Sequence, residues 1–130
     1  MAKRAQRLLG IVPSDSPGVI GYTLYWDKSK GDSGSDTVLN NDESQGAVSP
    51  HVDLGLPTTT RDVEVDGTTK TVLVVDLGTI PELATLEGEY DFGSAAYDGV
   101  NESHITEAED IDIDFTPPNA PGKVFILSTP

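Results

Sequence analysis

Apolar residues in this chain recur at every second position, in short runs broken by turn-forming residues. That period belongs to half-buried β-strands, not to helices. The strictest case is Asp110-Ile-Asp-Ile-Asp-Phe115, where acidic and apolar positions alternate without a break, as on a strand with one buried and one wet face. In Val19-Ile-Gly-Tyr-Thr-Leu-Tyr-Trp26, Tyr22, Leu24 and Trp26 share one face, and Thr23 and Tyr25 the other. Arg61-Asp-Val-Glu-Val65 and Lys70-Thr-Val-Leu-Val-Val75 flank Asp66-Gly67, a dipeptide suited to a tight hairpin. Gly88 to Ala96 alternates again, with Tyr90, Phe92, Ser94 and Ala96 facing one way, and Asp98-Gly-Val-Asn101 is a turn. Gln6 to Val12 is a short apolar run ended by Pro13; Thr37-Val-Leu39 and a stretch within Val48 to Leu56 are weaker strand candidates. About eight short strands with turn signals between them predict an all-β antiparallel sandwich or barrel. No helix and no internal repeat is expected.

The length, 130 residues, suits one domain with a working but modest core. Asp and Glu number 22 against 8 Lys and Arg, a formal charge of −14. A phosphate backbone or an anionic lipid surface is repelled by such a body, so neither nucleic acid nor membrane is an expected partner. Three basic residues, Lys3, Arg4 and Arg7, form a small positive handle at the amino end. They are read either as a solvated terminus or as a group that docks on an acidic patch of another copy. The chain has no cysteine, which removes disulfides and thiolate metal sites. No signal peptide or membrane span is legible, so a cytoplasmic location is the default, with a virion or extracellular assembly as the alternative.

No residue pattern points to catalysis. His51 and His104 stand apart from any nucleophile motif and read as surface histidines. The acidic loop Asp27 to Asp36 misses the calcium-loop pattern and carries two lysines, and Asp98, Asn101 and Glu102 read first as a solvated loop and second as a calcium site. Asp110, Asp112 and Asp114 are expected to blunt an exposed strand face. The expectation is therefore a non-enzyme, with no cofactor and no metal.

Several segments, in order, resemble the fibronectin type III domain, an immunoglobulin-like β-sandwich. Leu86-Glu-Gly-Glu-Tyr-Asp-Phe92 is similar to that family's "L-x-P-G-x-x-Y-x-V" segment, with a shorter spacer and Glu87 where proline is usual. The resemblance implies that Tyr90 is the corner tyrosine of the E–F connection. Ala95-Ala-Tyr-Asp-Gly-Val-Asn-Glu-Ser103 resembles the end of strand F and the F–G loop, and Val19 to Trp26 resembles strand C, with Tyr22 and Trp26 as fold-defining residues beside Tyr90. Leu8 to Val12 would be strand B, without the family's usual tryptophan. The implied organisation is a sandwich of strands B to G over residues 1–116, a proline-rich linker over 117–122 and a strand-A-like segment over 123–130.

That last segment, Lys123-Val-Phe-Ile-Leu-Ser-Thr-Pro130, resembles the opening strand of the family placed at the wrong end. Seven linker residues, Thr116 to Gly122, reach only about 25 Å when extended. A typical strand is itself roughly 17–20 Å long, so self-insertion in the family orientation is strained. The expectation is a donated strand: Val124, Phe125, Ile126 and Leu127 complete the sheet of an adjacent copy beside its Leu8, Leu9 and Ile11. Self-complementation (a permuted strand in the same chain) and a loose tail are the alternatives. Donation in trans is head to tail and builds a filament, sheath or coat. The competing reading is a monomeric binding or adhesion module, or a decoration protein on a phage capsid or tail. The expected partner is the chain itself, as a homo-oligomer or polymer.

Overall fold

The computed structural model describes residues 8–28, 39–114 and 120–127. Among the described residues there are seven strands: β1 (Leu8–Ile11), β2 (Gly21–Lys28), β3 (His51–Gly55), β4 (Thr60–Val65), β5 (Thr68–Asp76), β6 (Glu87–Tyr97) and β7 (Thr106–Asp114). They make two antiparallel sheets, one ordered β1-β5-β4 and the other β3-β2-β6-β7. Helical structure among the described residues is confined to single 3₁₀ turns at Glu43–Gln45, Leu77–Thr79 and Pro81–Leu83. The protein is all-β.

One buried cluster takes side chains from both sheets. Ile11, Leu73 and Val75 come from the first, and Tyr22, Leu24, Trp26, Phe92 and Ile113 from the second. Leu77, Ile80 and Leu83, in the turns between β5 and β6, close one end of it. Each large apolar side chain removed from water contributes about 1.5–3 kcal/mol, so this cluster dominates the stability. Tyr22, Leu24 and Trp26 share the inner face as their spacing requires.

The other face of β2 is not wet. Tyr25 is buried in a second cluster with Leu39 and Ala95, flanked by Val48 and Ile105. The segment from Leu39 to Ser49 lies over this outer face, where Asn40 and Ser49 are joined by main-chain and side-chain hydrogen bonds of 2.9 Å. Leu39 therefore serves as a core residue in irregular structure and not as part of a strand; Thr37 and Val38 lie outside the described residues. Gly93 makes this layer possible. A Cβ there would lie 2.9 Å from Leu39 Cδ1 and would collide with Ile105 Cγ2.

The β4–β5 hairpin follows from its turn chemistry. Asp66 and Gly67 have φ of 52° and 79°, both positive as a two-residue turn of mirror-image type needs, and Val65 pairs with Thr68 across it. On the far edge of the second sheet, a bulge near Tyr90 and Phe92 shifts the phase of β7. Ile113 and Ile111 face Gly88 and Tyr90, but beyond the bulge it is Ala108 that faces Phe92.

The registers define two poles. Gly21 pairs with Tyr97, and Ser94 with Thr106, so β2 begins, β6 ends and β7 begins at the first pole. β1 runs towards the same pole, because Val12 to Ile20 join it to β2. Glu87 pairs with Asp114 at the second pole, where β6 begins and β7 ends. Of the alternatives for the carboxyl-terminal run, a strand permuted into its own chain is not seen among the described residues. Residues 120–127 belong to neither sheet and are exposed throughout, so they do not complement their own chain.

Candidate functional site

β1 is the shortest strand, and its inward residues follow the alternation: Leu9 is half-buried and Ile11 is in the core, while Leu8 and Gly10 face out. It pairs along one edge with β5, Leu8 with Asp76 through Ile11 with Leu73. Among the described residues nothing pairs with its other edge. An edge strand presents a row of unsatisfied N–H and C=O groups, a template for another strand.

Beside that edge the two sheets stand apart. A cavity of about 530 Å³ runs between Leu9–Val12 on one wall and Thr106–Ala108 of β7 on the other, over a floor that includes Phe92, Ser94 and Ala96. Ser14, Ser103 and His104 stand among its lining residues. The hydroxyl oxygen of Ser94 is buried and has no hydrogen-bond partner. A buried polar atom left without a partner costs about 1–3 kcal/mol, and here it sits where the packing is incomplete. Tyr22 fixes one end of the groove: its hydroxyl accepts a 2.9 Å hydrogen bond from Ser14 N and so ties the β1–β2 connection down. A second cavity, of about 540 Å³, is lined by Leu8, Leu54, Arg61, Val75 and Ile80. It lies across β5 from the open edge and takes only Leu8 from β1.

The same chain exposes an apolar run. Val124, Phe125, Ile126 and Leu127 are 86, 65, 96 and 79 % exposed. Lys123 Nζ lies 5.8 Å from the Phe125 ring centroid, a contact that covers one face of the ring only. Four adjacent large apolar side chains in water are uncommon and mark a contact or an aggregation hazard. Of the other residues expected at an assembly contact, Leu8 is exposed at the open edge, Leu9 and Ile11 point inward, and Lys3, Arg4 and Arg7 lie outside the described residues.

The three residues expected to define the fold lie in β2 and β6. Tyr90 is half-buried against the core, its ring 6.4 Å from that of Phe92. The Tyr22 hydroxyl holds the β1–β2 connection through Ser14 N. Trp26 is buried in the main cluster.

The acidic loops are occupied by their own turns. Asp98 Oδ1 accepts from the backbone N–H groups of Val100 and Asn101 at 2.9 and 2.8 Å, which holds its carboxyl below the usual range. Glu102 Oε1 accepts a 2.6 Å hydrogen bond from the Tyr25 hydroxyl and a longer one from Asn41 Nδ2. Burial and the Glu102 carboxylate together push the Tyr25 phenol well above its ordinary value. Glu107 Oε1 accepts from Leu39 N at 2.8 Å. Glu102 and Glu107 thus pin the covering segment to the β6–β7 hairpin, a role that the sequence did not signal. Among the described residues no three His, Asp or Glu side chains converge as a metal-binding group. Of the Asp27 to Asp36 loop, Asp27 is described, and its Oδ1 accepts from Lys28 N. His51 shares a 2.9 Å hydrogen bond between Nδ1 and Ser49 O and lies 5.2 Å from the Tyr25 ring. His104 is exposed at the groove. No helix among the described residues is long and apolar enough to cross a membrane.

No protein-family model, curated protein or solved structure matches this chain.

Proposed function

We propose that this protein is a structural subunit that assembles by strand donation, placing Val124–Leu127 of one copy along β1 of the next. The carrying observation is the coexistence in one chain of a β1 edge that no described residue pairs with, a groove beside it, and an apolar run exposed to water. The two sheets are read as halves of an immunoglobulin-like sandwich of the fibronectin type III kind. Their orders, β1-β5-β4 and β3-β2-β6-β7, correspond to strands B-E-D and C′-C-F-G of that architecture. Among the described strands, none corresponds to the one that would lie beside β1. A donated strand supplies main-chain partners to the open edge and side chains to the groove.

Magnitudes bear on how tight the contact is. Four large apolar side chains represent a gross gain on the order of 6–12 kcal/mol. Association costs about 4–15 kcal/mol in lost freedom. The two ranges overlap, so the strand alone comes out near break-even, and assembly is expected to be reversible and dependent on concentration. Repeated head-to-tail contacts of this kind extend into a filament, sheath or coat.

Light scattering after size exclusion tests the reading. The full chain should show mass rising with concentration, and the chain without residues 123–130 should remain a monomer with the same β-sheet circular dichroism. A full chain that stays monomeric at every concentration sinks the proposal and favours a binding module. Persistent multimers after the deletion sink it as well.

A further inference from the structure

We infer that a second surface takes part: the first pole of the acceptor copy, bearing Val12, Ile20 and Val100, docks on the donor copy, with the donated strand running antiparallel to β1. This rests on the strand-donation reading and adds a direction and a contact to it. Val12 follows β1, Ile20 precedes β2 and Val100 sits in the β6–β7 hairpin; all three are exposed large apolar residues. The hairpin and Ile20 touch, since Ile20 N donates to Tyr97 O at 2.8 Å and a Cβ on Gly99 would lie 3.5 Å from Ile20 Cδ1. Val12 also lines the groove. Val12 thus brings the groove to the pole that also carries Ile20 and Val100, and the strand alone makes only a marginal contact.

Topology sets the direction. β7 carries the chain to the second pole, away from this patch. A tail that leaves the second pole of one copy and enters the first pole of the next runs from Val12 towards Leu8, antiparallel to β1. Every ladder among the described strands is antiparallel, the slightly more stable pairing. The opposite direction would bring two second poles together as a closed pair. There the register sets Glu87 opposite Asp114 and Glu89 opposite Asp112, and on chains of formal charge −14 that apposition places like charges against like. In the same chain, eight residues from 115 to 122 reach at most about 29 Å. Climbing back along β7 takes about 27 Å, which leaves little length for rounding the sheet edge.

The chain has no cysteine, so introduced thiols report cleanly. Leu8 begins β1 and Val12 follows its last residue, about 13 Å away, whereas a disulfide needs Cα atoms within about 7 Å. In the full chain, Val12→Cys with Val124→Cys should give a ladder of disulfide-linked multimers on oxidation. Leu8→Cys with Val124→Cys should give at least tenfold less, with single-cysteine variants as controls. A stronger ladder from the Leu8 pair overturns the direction while leaving strand donation standing. No ladder from either pair, in a chain that still forms multimers, overturns the placement of the tail along β1. For the pole, Ile20→Asp with Val100→Asp should raise the concentration of half-assembly about tenfold with the tail intact and the circular dichroism unchanged. An unchanged concentration removes the pole from the contact without touching the donated strand.

Discussion

The Tyr25 phenol holds the outer layer to the second sheet. It is buried, it donates to Glu102 at 2.6 Å, and Glu102 also meets Asn41 from the covering segment. Tyr25→Phe keeps the ring and loses the hydrogen bond, leaving a carboxylate with one fewer donor. The expected cost is about 1–2 kcal/mol in urea unfolding. The raised phenol pKa gives this a pH signature. Above about pH 10 an unfolded tyrosine releases its proton while the folded one keeps it, so the folded state binds more protons and stability falls as pH rises. The contribution is whole below that pH and is lost above it. Unfolding followed from pH 8 to 11 should therefore fall more steeply in the wild type than in Tyr25→Phe, and equal slopes would refute the assignment. Gly93 acts at the same scale. Alanine there meets Leu39 and Ile105, both committed to the second cluster, and should cost roughly 1–3 kcal/mol through overpacking.

Elements differ in how much of them is visible before folding. The β4–β5 hairpin is legible because its turn chemistry is local: Asp66 and Gly67 adopt the positive φ values that their residue types permit. Gly67→Ala should cost on the order of 1 kcal/mol by the same logic, since alanine resists that conformation; a thermal melt would show it. β2, β6 and the ends of β7 are equally legible from alternation. What alternation could not show was the burial of both faces of β2, because the cover comes from Leu39 and Val48, distant in sequence and irregular in backbone. Glu102 read as part of a solvated loop, and Glu107 carried no signal, for the same reason: their partners, Tyr25, Asn41 and Leu39, come from another part of the chain. The groove was half legible. Leu8 to Ile11 read as a strand with a place beside it, but the cavity walls require β7 to stand opposite β1, a relation between sheets that no local period encodes. The terminal run read as a strand because its composition is that of one. In the structure residues 120–127 lie outside both sheets.

At the scale of the whole molecule, charge and apolar contact oppose each other, and salt separates them. Every copy carries a formal charge of −14, so copies repel, and the repulsion is screened over a Debye length of about 10 Å at 0.1 M salt. Contacts through Val124–Leu127, Val12, Ile20 and Val100 are apolar and do not weaken on screening. If they drive assembly, raising sodium chloride from 20 to 500 mM should increase the scattered mass, and sulfate should increase it further by strengthening apolar burial. Docking of Lys3, Arg4 and Arg7 on the acidic face of a neighbour predicts the reverse sign, because screening removes an attraction. The same series on a chain with Lys3, Arg4 and Arg7 changed to Gln isolates that term. The apolar reading expects this variant to keep the upward trend, although its charge is more negative still. Association also links to stability: whatever binds only the folded state raises the melting temperature with concentration. The full chain should thus melt higher as it is concentrated, and the chain lacking residues 123–130 should melt at one temperature throughout. A melting point independent of concentration in the full chain, together with multimers that dissolve in salt, would assign the association to the amino-terminal charges and leave the groove beside β1 without its donor.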